Sequence, residues 1–211
     1  MPAATEKLFI DGPAGKIETV LALPEPDPKG IAVIAHPHPL HGGTMDNKVI
    51  QTLFTALSSL GFATAKFNFR SVGASDGVFD HGVGEVDDVT AVTDVIRARL
   101  DRHTAPLPLL LAGFSFGGAI QLHAAKKLNP EFLILVAPSV LNLQAPPVPE
   151  SVQFSLIIQG DRDDIVLPEQ ILAWATPQSQ PVVFIPSAGH FFHGKLIPLK
   201  RLVADYFACK I

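Results

Sequence analysis

Short runs of aliphatic, β-branched and aromatic residues alternate along this chain with longer segments of helical periodicity, and no other feature limits the possible folds as much. Most of these runs are apolar on both sides, as in strands that are covered on both faces. They lie at residues 31–35, 63–69, 107–112, 132–136, 155–158 and 182–185. Helical patterns lie at residues 49–60, 86–96, 119–128, 169–175 and 196–207. The alternation predicts an α/β fold with a mostly parallel, doubly wound sheet and right-handed crossovers.

The beginning of the chain departs from this alternation. Residues 8–10 and 17–23 are apolar runs separated by the turn-forming sequence Asp-Gly-Pro-Ala-Gly, which predicts an antiparallel β-hairpin. A length of 211 residues suits one hydrophobic core, so we expect a single domain over residues 1–211. The proline-rich stretch at residues 144–150 is too short for a cap domain, which predicts an open, shallow site.

Composition excludes several classes of partner. Hydrophobic residues make up 47% and charged residues 17% of the chain, which argues against disorder, and a net charge of -4 without charge blocks argues against nucleic acid and anionic membrane partners. No apolar run reaches the roughly 18 residues of a membrane span. The first residues lack a secretory signal pattern, and Cys209 is the single cysteine, which excludes an internal disulfide. We expect a cytoplasmic protein.

The second helical pattern, at residues 86–96, carries an unusual number of acids. Its apolar positions are Val86, Val89, Val92, Val95 and Ile96, and the interleaved acids are Glu85, Asp87, Asp88 and Asp94. This spacing predicts an amphipathic helix whose acids favour the positive end of the helix dipole near its N-terminus.

Residues 109–119 contain a Gly-x-Ser-x-Gly motif in which an apolar strand runs directly into a helix, with Ser115 at the apex. Such a sharp turn needs small neighbours because other backbone segments pass close to it. The turn raises the serine hydroxyl above the carboxyl edge of the sheet, and the following helix directs its first amides at a developing oxyanion. The motif alone is weakly specific, since structural turns also use Gly and Ser. Its position between strand and helix identifies Ser115 as a candidate nucleophile.

A serine nucleophile needs a base and a carboxylate that orients the base. Asp163 follows the strand at residues 155–158, and His190 follows the strand at residues 182–185, so both leave the same sheet edge as Ser115. The chain order Ser, Asp, His is the one expected of an α/β-hydrolase triad. Asp164 is the alternative acid and His193 the alternative base. A structural interpretation makes Asp161 and Asp164 caps of the helix that begins near Pro168.

Two further segments extend the pattern. Residues 36–43 read His-Pro-His-Pro-Leu-His-Gly-Gly, and residues 67–75 read Phe-Asn-Phe-Arg-Ser-Val-Gly-Ala-Ser, each directly after a predicted strand. Together with the three loops, they make the chain resemble the α/β-hydrolase superfamily, close to its small lidless esterases and the dienelactone-hydrolase-like group. The resemblance implies an α/β-hydrolase fold without a cap domain. In similar sequences the acid loop reads Gly-x-x-Asp before apolar residues and Pro, which corresponds to Asp163. Dienelactone hydrolases carry cysteine at the Ser115 position, so lactone specificity is not expected.

The resemblance also places an oxyanion loop at residues 36–43. Proline has no N–H, so we expect the donors to be the amide of Phe116 beside the nucleophile and that of His38, with Leu40 as the second choice. His36, His38 and His41 could also be read as metal ligands. The extended backbone that the interleaved prolines impose, and the lack of a carboxylate or cysteine to complete the set, argue against it. We therefore expect neither a metal nor a cofactor.

The other polar residues of these loops are interpreted as structural. We expect Arg70 to bond loop carbonyls, with Ser75 and Asp76 shaping the same loop. The segment that includes Asp80, His81 and Glu85 either borders the pocket or forms a polar helix start. Phe114 and Phe116 are expected to pack the turn rather than to stack on a ligand.

The predicted function is therefore hydrolysis of small acyl esters through a Ser-His-Asp triad and an acyl-enzyme intermediate. The expected partner is a small-molecule ester, and the oligomeric state is left open. A peptidase or thioesterase that uses the same triad is an alternative. A non-catalytic binding protein of the same fold is another, because a fold does not guarantee activity.

Overall fold

Eight strands form one sheet in the part of the chain that the computed structural model describes, residues 4–100, 106–208 and 210. The strands are β1 (Ala4–Gly12), β2 (Gly15–Leu23), β3 (Gly30–Ala35), β4 (Phe62–Phe67), β5 (Leu109–Phe114), β6 (Phe132–Val136), β7 (Phe154–Gly160) and β8 (Val182–Ile185). The helices are α1 (Lys48–Ser59), α2 (Val83–Leu100), α3 (Phe116–Leu128), α4 (Pro168–Ala175) and α5 (Leu196–Phe207), with 3₁₀ turns at Pro39–His41 and Thr176–Gln178. Cys209 lies outside the described residues.

The strand order is β1-β2-β4-β3-β5-β6-β7-β8. β1 pairs antiparallel with β2 and β2 with β4, whereas the pairs from β4 to β8 are all parallel. The predicted hairpin and mostly parallel sheet are confirmed. Because the parallel strands share one direction, the loops that follow them meet at the same carboxyl edge.

Helices cover both faces of the sheet. Val33 belongs to a core cluster with Val89 of α2 and Ile120 of α3. The next residue, Ile34, belongs to a second cluster with Leu53 of α1 and residues of α5. Successive side chains of a strand point to opposite faces, so a strand between two helical layers is apolar at every position. This packing explains the continuous apolar runs of the sequence.

Several predicted strand boundaries are wrong by two residues, among them those of the strands expected at residues 63–69 and 107–112. The strand expected at residues 63–69 ends at Phe67, because the N–H of Phe69 donates to His36 Nε2 (3.0 Å) rather than to a neighbouring strand. The strand expected at residues 107–112 spans Leu109–Phe114. Proline at 106 and 108 removes ladder donors at its start, and Gly113 pairs with Ala35 instead of ending the strand.

The helix with many acids is also less simply amphipathic than its pattern predicts. Glu85 and Asp88 of α2 are buried, while Val95 is exposed. Glu85 accepts hydrogen bonds from the N–H groups of Asp80 and Gly82, at 2.9 and 2.8 Å. A buried carboxylate is tolerated when it is fully hydrogen-bonded, and no apolar periodicity reveals that partner set.

Residues 137–153 connect β6 to β7 without a helix or strand, and no cap domain covers the carboxyl edge within the described residues. The expected α/β-hydrolase fold without a cap is confirmed. Among the helices that are described, none is long and apolar enough to cross a membrane.

Candidate active site

Ser115 occupies the single-residue turn between β5 and α3. Its backbone has φ 54° and ψ -117°, a region that non-glycine residues rarely adopt. A Cβ at Gly117 would overlap the carbonyl oxygen of Ala35, and one at Gly113 would overlap that of Gly117. The two glycines are therefore required by close backbone approach, and they hold the serine at the carboxyl edge of the sheet.

Ser115, His190 and Asp163 form one hydrogen-bonded chain. Ser115 Oγ lies 3.0 Å from His190 Nε2, and His190 Nδ1 lies 2.8 Å from Asp163 Oδ2. All three side chains are buried. The structure thus brings together the three residues that the loop positions singled out, although they come from three separate loops. A hydroxyl, an imidazole and a carboxylate in this order permit proton transfer from the hydroxyl to the imidazole.

The carboxylate of Asp163 is held from several sides. Its Oδ1 accepts the amides of Ile165 (2.9 Å) and Val166 (2.8 Å), and its Oδ2 also accepts Gln159 Nε2 (3.1 Å). Burial by itself raises the pKa of Asp163, but the hydrogen bond and charge of His190, aided by the two amides, outweigh it and lower the pKa below its usual value. The carboxylate is therefore ionised and oriented.

Gln159 is a site residue that the sequence analysis missed. It lies in β7 and is buried, and its Nε2 joins Asp163 Oδ2 to the carbonyl of Val166 (2.8 Å). The available signal was an amide side chain directly after the apolar residues 156–158 of the strand. A polar residue at such a position needs a partner, and here the partner is the acid loop.

The loops that carry Asp163 and His190 are bonded to each other. Arg162 N donates to Ala188 O (3.0 Å), and a Cβ at Gly160 would overlap the same carbonyl. His193, the alternative base, is exposed and stacks on Phe191. Asp164, the alternative acid, is exposed as well. Neither Asp161 nor Asp164 caps α4, because its N-cap is Leu167 without a side-chain hydrogen bond.

Two backbone amides near Ser115 are available as donors. Phe116 is the first residue of α3, so its N–H has no acceptor within the helix. In the 3₁₀ turn at Pro39–His41, Leu40 N already donates to His38 Nδ1 at 3.2 Å. The N–H of His38 makes no hydrogen bond among the described residues. This arrangement favours His38 over Leu40 as the second donor.

His36 fixes the orientation of the peptide that contains the His38 amide. Its Nε2 accepts the N–H of Phe69, so its Nδ1 carries the proton and donates to Pro37 O at 2.6 Å. The Pro37 carbonyl and the His38 N–H belong to one planar trans peptide and point in opposite directions. Burial lowers the pKa of His36 to about 4, and the hydrogen bond to Pro37 opposes this only weakly. The ring is therefore neutral at pH 7, and it holds the peptide between Pro37 and His38 in one orientation.

The hydrogen-bond partner of Arg70 is a carboxylate and not the loop carbonyls that we expected. It does not bond loop carbonyls; its guanidinium bonds the Asp88 carboxylate at 2.8 to 3.2 Å, and its own N–H bonds Asp88 Oδ2 at 3.0 Å. These bonds raise the pKa of Arg70 above its usual value. Ser75 Oγ donates to Asn68 O, and Asp76 Oδ2 accepts Lys16 N, so both shape the loop as expected.

A cavity of about 330 Å³ lies beside the turn that carries Ser115. It is lined by His38, His41, Phe79, His81, Phe116, Ser139, Asn142 and Leu143. The N–H of Ser139 bonds the carbonyl of Ser115, which ties this wall to the turn. His81 thus borders a pocket, while Asp80 accepts Gly84 N and belongs, with Glu85, to the start of α2. Phe114 is fully buried as expected, whereas Phe116 both packs the turn and lines the cavity.

The three histidines of residues 36–43 make different contacts. His36 is bonded to backbone on both nitrogens, and the rings of His38 and His41 stack at 4.4 Å. Within the described residues, no three His, Cys, Asp or Glu side chains are grouped as metal ligands would be.

A sheet of this order with a serine at the strand-to-helix turn defines the class of α/β hydrolases. The profile of the family described as Serine aminopeptidase, S33 matches residues 27–181. An α/β serine hydrolase homologue from Coxiella burnetii is 41% identical, with a TM-score of 0.87 and coverage of 96% of this chain and 97% of that one. XC6422 of Xanthomonas campestris, a serine hydrolase without lid, is 40% identical, with a TM-score of 0.89 and coverage of 98% and 95%.

An uncharacterized protein of Rickettsia prowazekii is 33% identical over 95% of this chain and 87% of its own length. The chain therefore belongs to the serine aminopeptidase S33 family of α/β serine hydrolases.

Proposed function

We propose that the chain is a serine esterase that cleaves small acyl esters with Ser115 as nucleophile, His190 as general base and Asp163 as the acid that orients it. One observation carries the proposal: His190 lies 3.0 Å from the Ser115 hydroxyl through Nε2 and 2.8 Å from Asp163 through Nδ1. These distances are within the range that proton transfer requires.

The first chemical step forms an acyl-enzyme. Ser115 Oγ attacks the ester carbonyl carbon while its proton passes to His190 Nε2, and the carbonyl oxygen becomes an oxyanion. Collapse of the tetrahedral intermediate breaks the bond to the alcohol oxygen, which takes the proton from His190. The ionised Asp163 stabilises the imidazolium that exists between these two transfers.

The amides of Phe116 and His38 bind the oxyanion in this proposal. Both N–H groups are unbonded among the described residues, and His36 fixes the peptide plane of the second. Each such donor contributes on the order of 3 kcal/mol to the transition state. In the second step, His190 removes a proton from water, which attacks the acyl carbonyl and releases the acid and Ser115.

Labelling with a fluorophosphonate tests the nucleophile. We expect a mass shift on Ser115 and turnover of p-nitrophenyl acetate, both lost in Ser115→Ala at an unchanged melting temperature. Ser59→Ala, an exposed serine on α1, is the matched control and should keep both. Hydrolysis that survives in Ser115→Ala would exclude the assignment, and an unlabelled, inactive wild type would favour a non-catalytic binding protein.

A second candidate is an aminopeptidase, because the matching family profile carries that description. Recognition of a free α-amino group calls for an acidic side chain in the pocket. The described residues that line the cavity beside Ser115 contain imidazole, phenyl, hydroxyl and amide groups but no carboxylate. This chemistry favours a neutral ester. Comparing p-nitrophenyl acetate with alanine p-nitroanilide and with an acetyl thioester separates the three activities.

A further inference from the structure

A second cavity adjoins the one beside the nucleophile. It has a volume of about 340 Å³, and the two cavities share His81 and Leu143 as wall residues. The first cavity, which we call the near cavity, contacts Phe116 directly after Ser115. The second, the far cavity, has aliphatic walls from Val83 and Val86. Since they share these wall residues, the two cavities lie next to each other on the protein surface.

One face of α3 forms the floor of both cavities. Phe116 lines the near cavity, and Ile120, His123 and Lys127 line the far one. These residues follow each other at intervals of four, three and four, which places them in one stripe of the helix. At a rise of about 1.5 Å per residue, the stripe is about 16 Å long. The floor therefore runs straight away from Ser115.

The position of the near cavity determines which half of an ester enters it. Among the described residues, its walls include His38 and Phe116, which carry the proposed oxyanion donors, and do not include His190. The alcohol oxygen must face His190 to receive a proton, so the alcohol lies on the opposite side. The acyl half of the ester extends into the near cavity and from there along α3.

The walls of the far cavity select an apolar chain without a terminal charge. Val83 is 72% exposed, and no cap domain covers it within the described residues. Solvated aliphatic side chains around a concave surface favour an apolar ligand. Lys127 at the far end lies 3.1 Å from Asp87, whose negative charge offsets that of the ammonium and repels a substrate carboxylate.

We propose that the near and far cavities form a single acyl groove along α3, which selects linear, uncharged acyl chains of medium length. An extended chain advances about 1.2 Å per bond, judged from the reach of the polypeptide backbone, so a floor of about 16 Å accommodates about 13 carbons. The inference rests on the proposed esterase function and adds the class of acyl group to it.

A series of p-nitrophenyl esters from acetate to hexadecanoate tests the groove. We expect kcat/KM to rise about two- to fourfold per added methylene up to a chain of about 13 carbons, and then to stay level. A wild type that neither hydrolyses any ester nor reacts with a fluorophosphonate refutes the proposed function itself. A labelled, active enzyme whose preference is highest at acetate and falls with chain length overturns the groove alone.

Two variants show whether the preference arises in the far cavity. Val83→Asp places a carboxylate on its wall at the first turn of α2, where the helix dipole favours an acid, so folding is preserved. The ratio of octanoate to acetate kcat/KM should fall about tenfold. Val78→Asp is the matched control, because Val78 is 77% exposed and lines neither cavity among the described residues; its ratio should equal that of the wild type.

Leu143→Trp fills the junction of the two cavities and should lower the same ratio at least as much. If both variants keep the wild-type ratio, or if Val78→Asp changes it equally, the acyl chain does not lie along α3 and the inference fails.

Discussion

Two clusters of buried polar residues lie at the carboxyl edge of the sheet. They differ in whether every polar group has a fixed hydrogen-bond partner. The Ser115 cluster consists of Ser115, His190 and Asp163, and the bracing cluster consists of His36, Arg70 and Asp88. In the bracing cluster each group is bonded to a fixed partner: the ion pair at 2.8 Å, or backbone on both ring nitrogens. In the Ser115 cluster the bonds run in series and end at a hydroxyl next to a cavity.

Burial of an ionisable group therefore does not by itself indicate that the group takes part in catalysis. Asp88 and Asp163 are equally inaccessible, yet only Asp163 orients an imidazole that reaches a hydroxyl. Asp88 neutralises a guanidinium that does not release its proton at physiological pH. The two aspartates therefore call for opposite tests, one of rate and one of stability.

The largest expected effect is on turnover in Asp163→Asn. The amide that replaces the carboxylate can donate to His190 Nδ1, which leaves the proton on Nε2, so the ring cannot accept the proton of Ser115. We expect kcat for p-nitrophenyl acetate to fall roughly 10³- to 10⁴-fold, as in other serine triads, with a small change in KM.

Asp164→Asn is the matched control, since Asp164 is exposed and adjacent, and its kcat should be that of the wild type. Equal loss in both variants would show that Asp163 acts through loop structure only.

The next effect is on stability in Asp88→Asn. The change removes the nearest counter-ion of the buried Arg70 and leaves only the more distant, half-exposed Asp80 at 4.0 Å, which costs about 3 kcal/mol of unfolding free energy. Folded enzyme should keep its kcat, because Arg70 and Asp88 do not touch the proposed reacting groups. Urea unfolding gives the stability, and active-site titration with a fluorophosphonate normalises kcat.

Asp94→Asn, an exposed acid of the same helix, should change the unfolding free energy by less than about 0.5 kcal/mol. A kcat loss in Asp88→Asn as large as in Asp163→Asn would abolish the distinction between the two clusters.

The sheet and the three loops could be predicted from the sequence because those features depend on local patterns. Strand-to-helix alternation predicted the parallel strands, and the loop positions singled out Ser115, Asp163 and His190, which the structure brings together. Partners across the sheet have no local pattern. Asp88 lies 18 residues after Arg70 in an ordinary helical sequence, and Gln159 differs from other strand residues only by polarity.

Residues 36–43 also show that hydrogen-bond partners have no local sequence pattern. Proline positions excluded two amides, but only the 3₁₀ turn shows that Leu40 N is occupied by the His38 ring. Such competition for one donor depends on the fold of residues 36–43 and cannot be read from their order.

The smallest expected effect is a pH dependence of stability that originates in His36. Burial lowers the pKa of His36 from 6.5 to about 4, so the unfolded chain binds a proton as the pH falls through 6.5 while the folded protein does so only near 4. Stability is therefore lost between these two pH values, by about 3 kcal/mol from this group. Asp163 has a lowered pKa, so its stabilisation is lost only below its usual value of 3.8, outside this window.

His36→Asn removes the titrating ring and retains a donor for the Pro37 carbonyl. Urea unfolding at pH 7, 5.5 and 4 should give a flatter pH profile for the variant than for the wild type, by the same amount. Identical profiles would mean that the pKa of His36 is the same in the folded and unfolded chain, so that the folded protein protonates the ring as the pH falls through 6.5; a doubly protonated ring is incompatible with Nε2 accepting the N–H of Phe69. Because that bond braces the His38 peptide, such a result would also remove the support for His38 as an oxyanion donor.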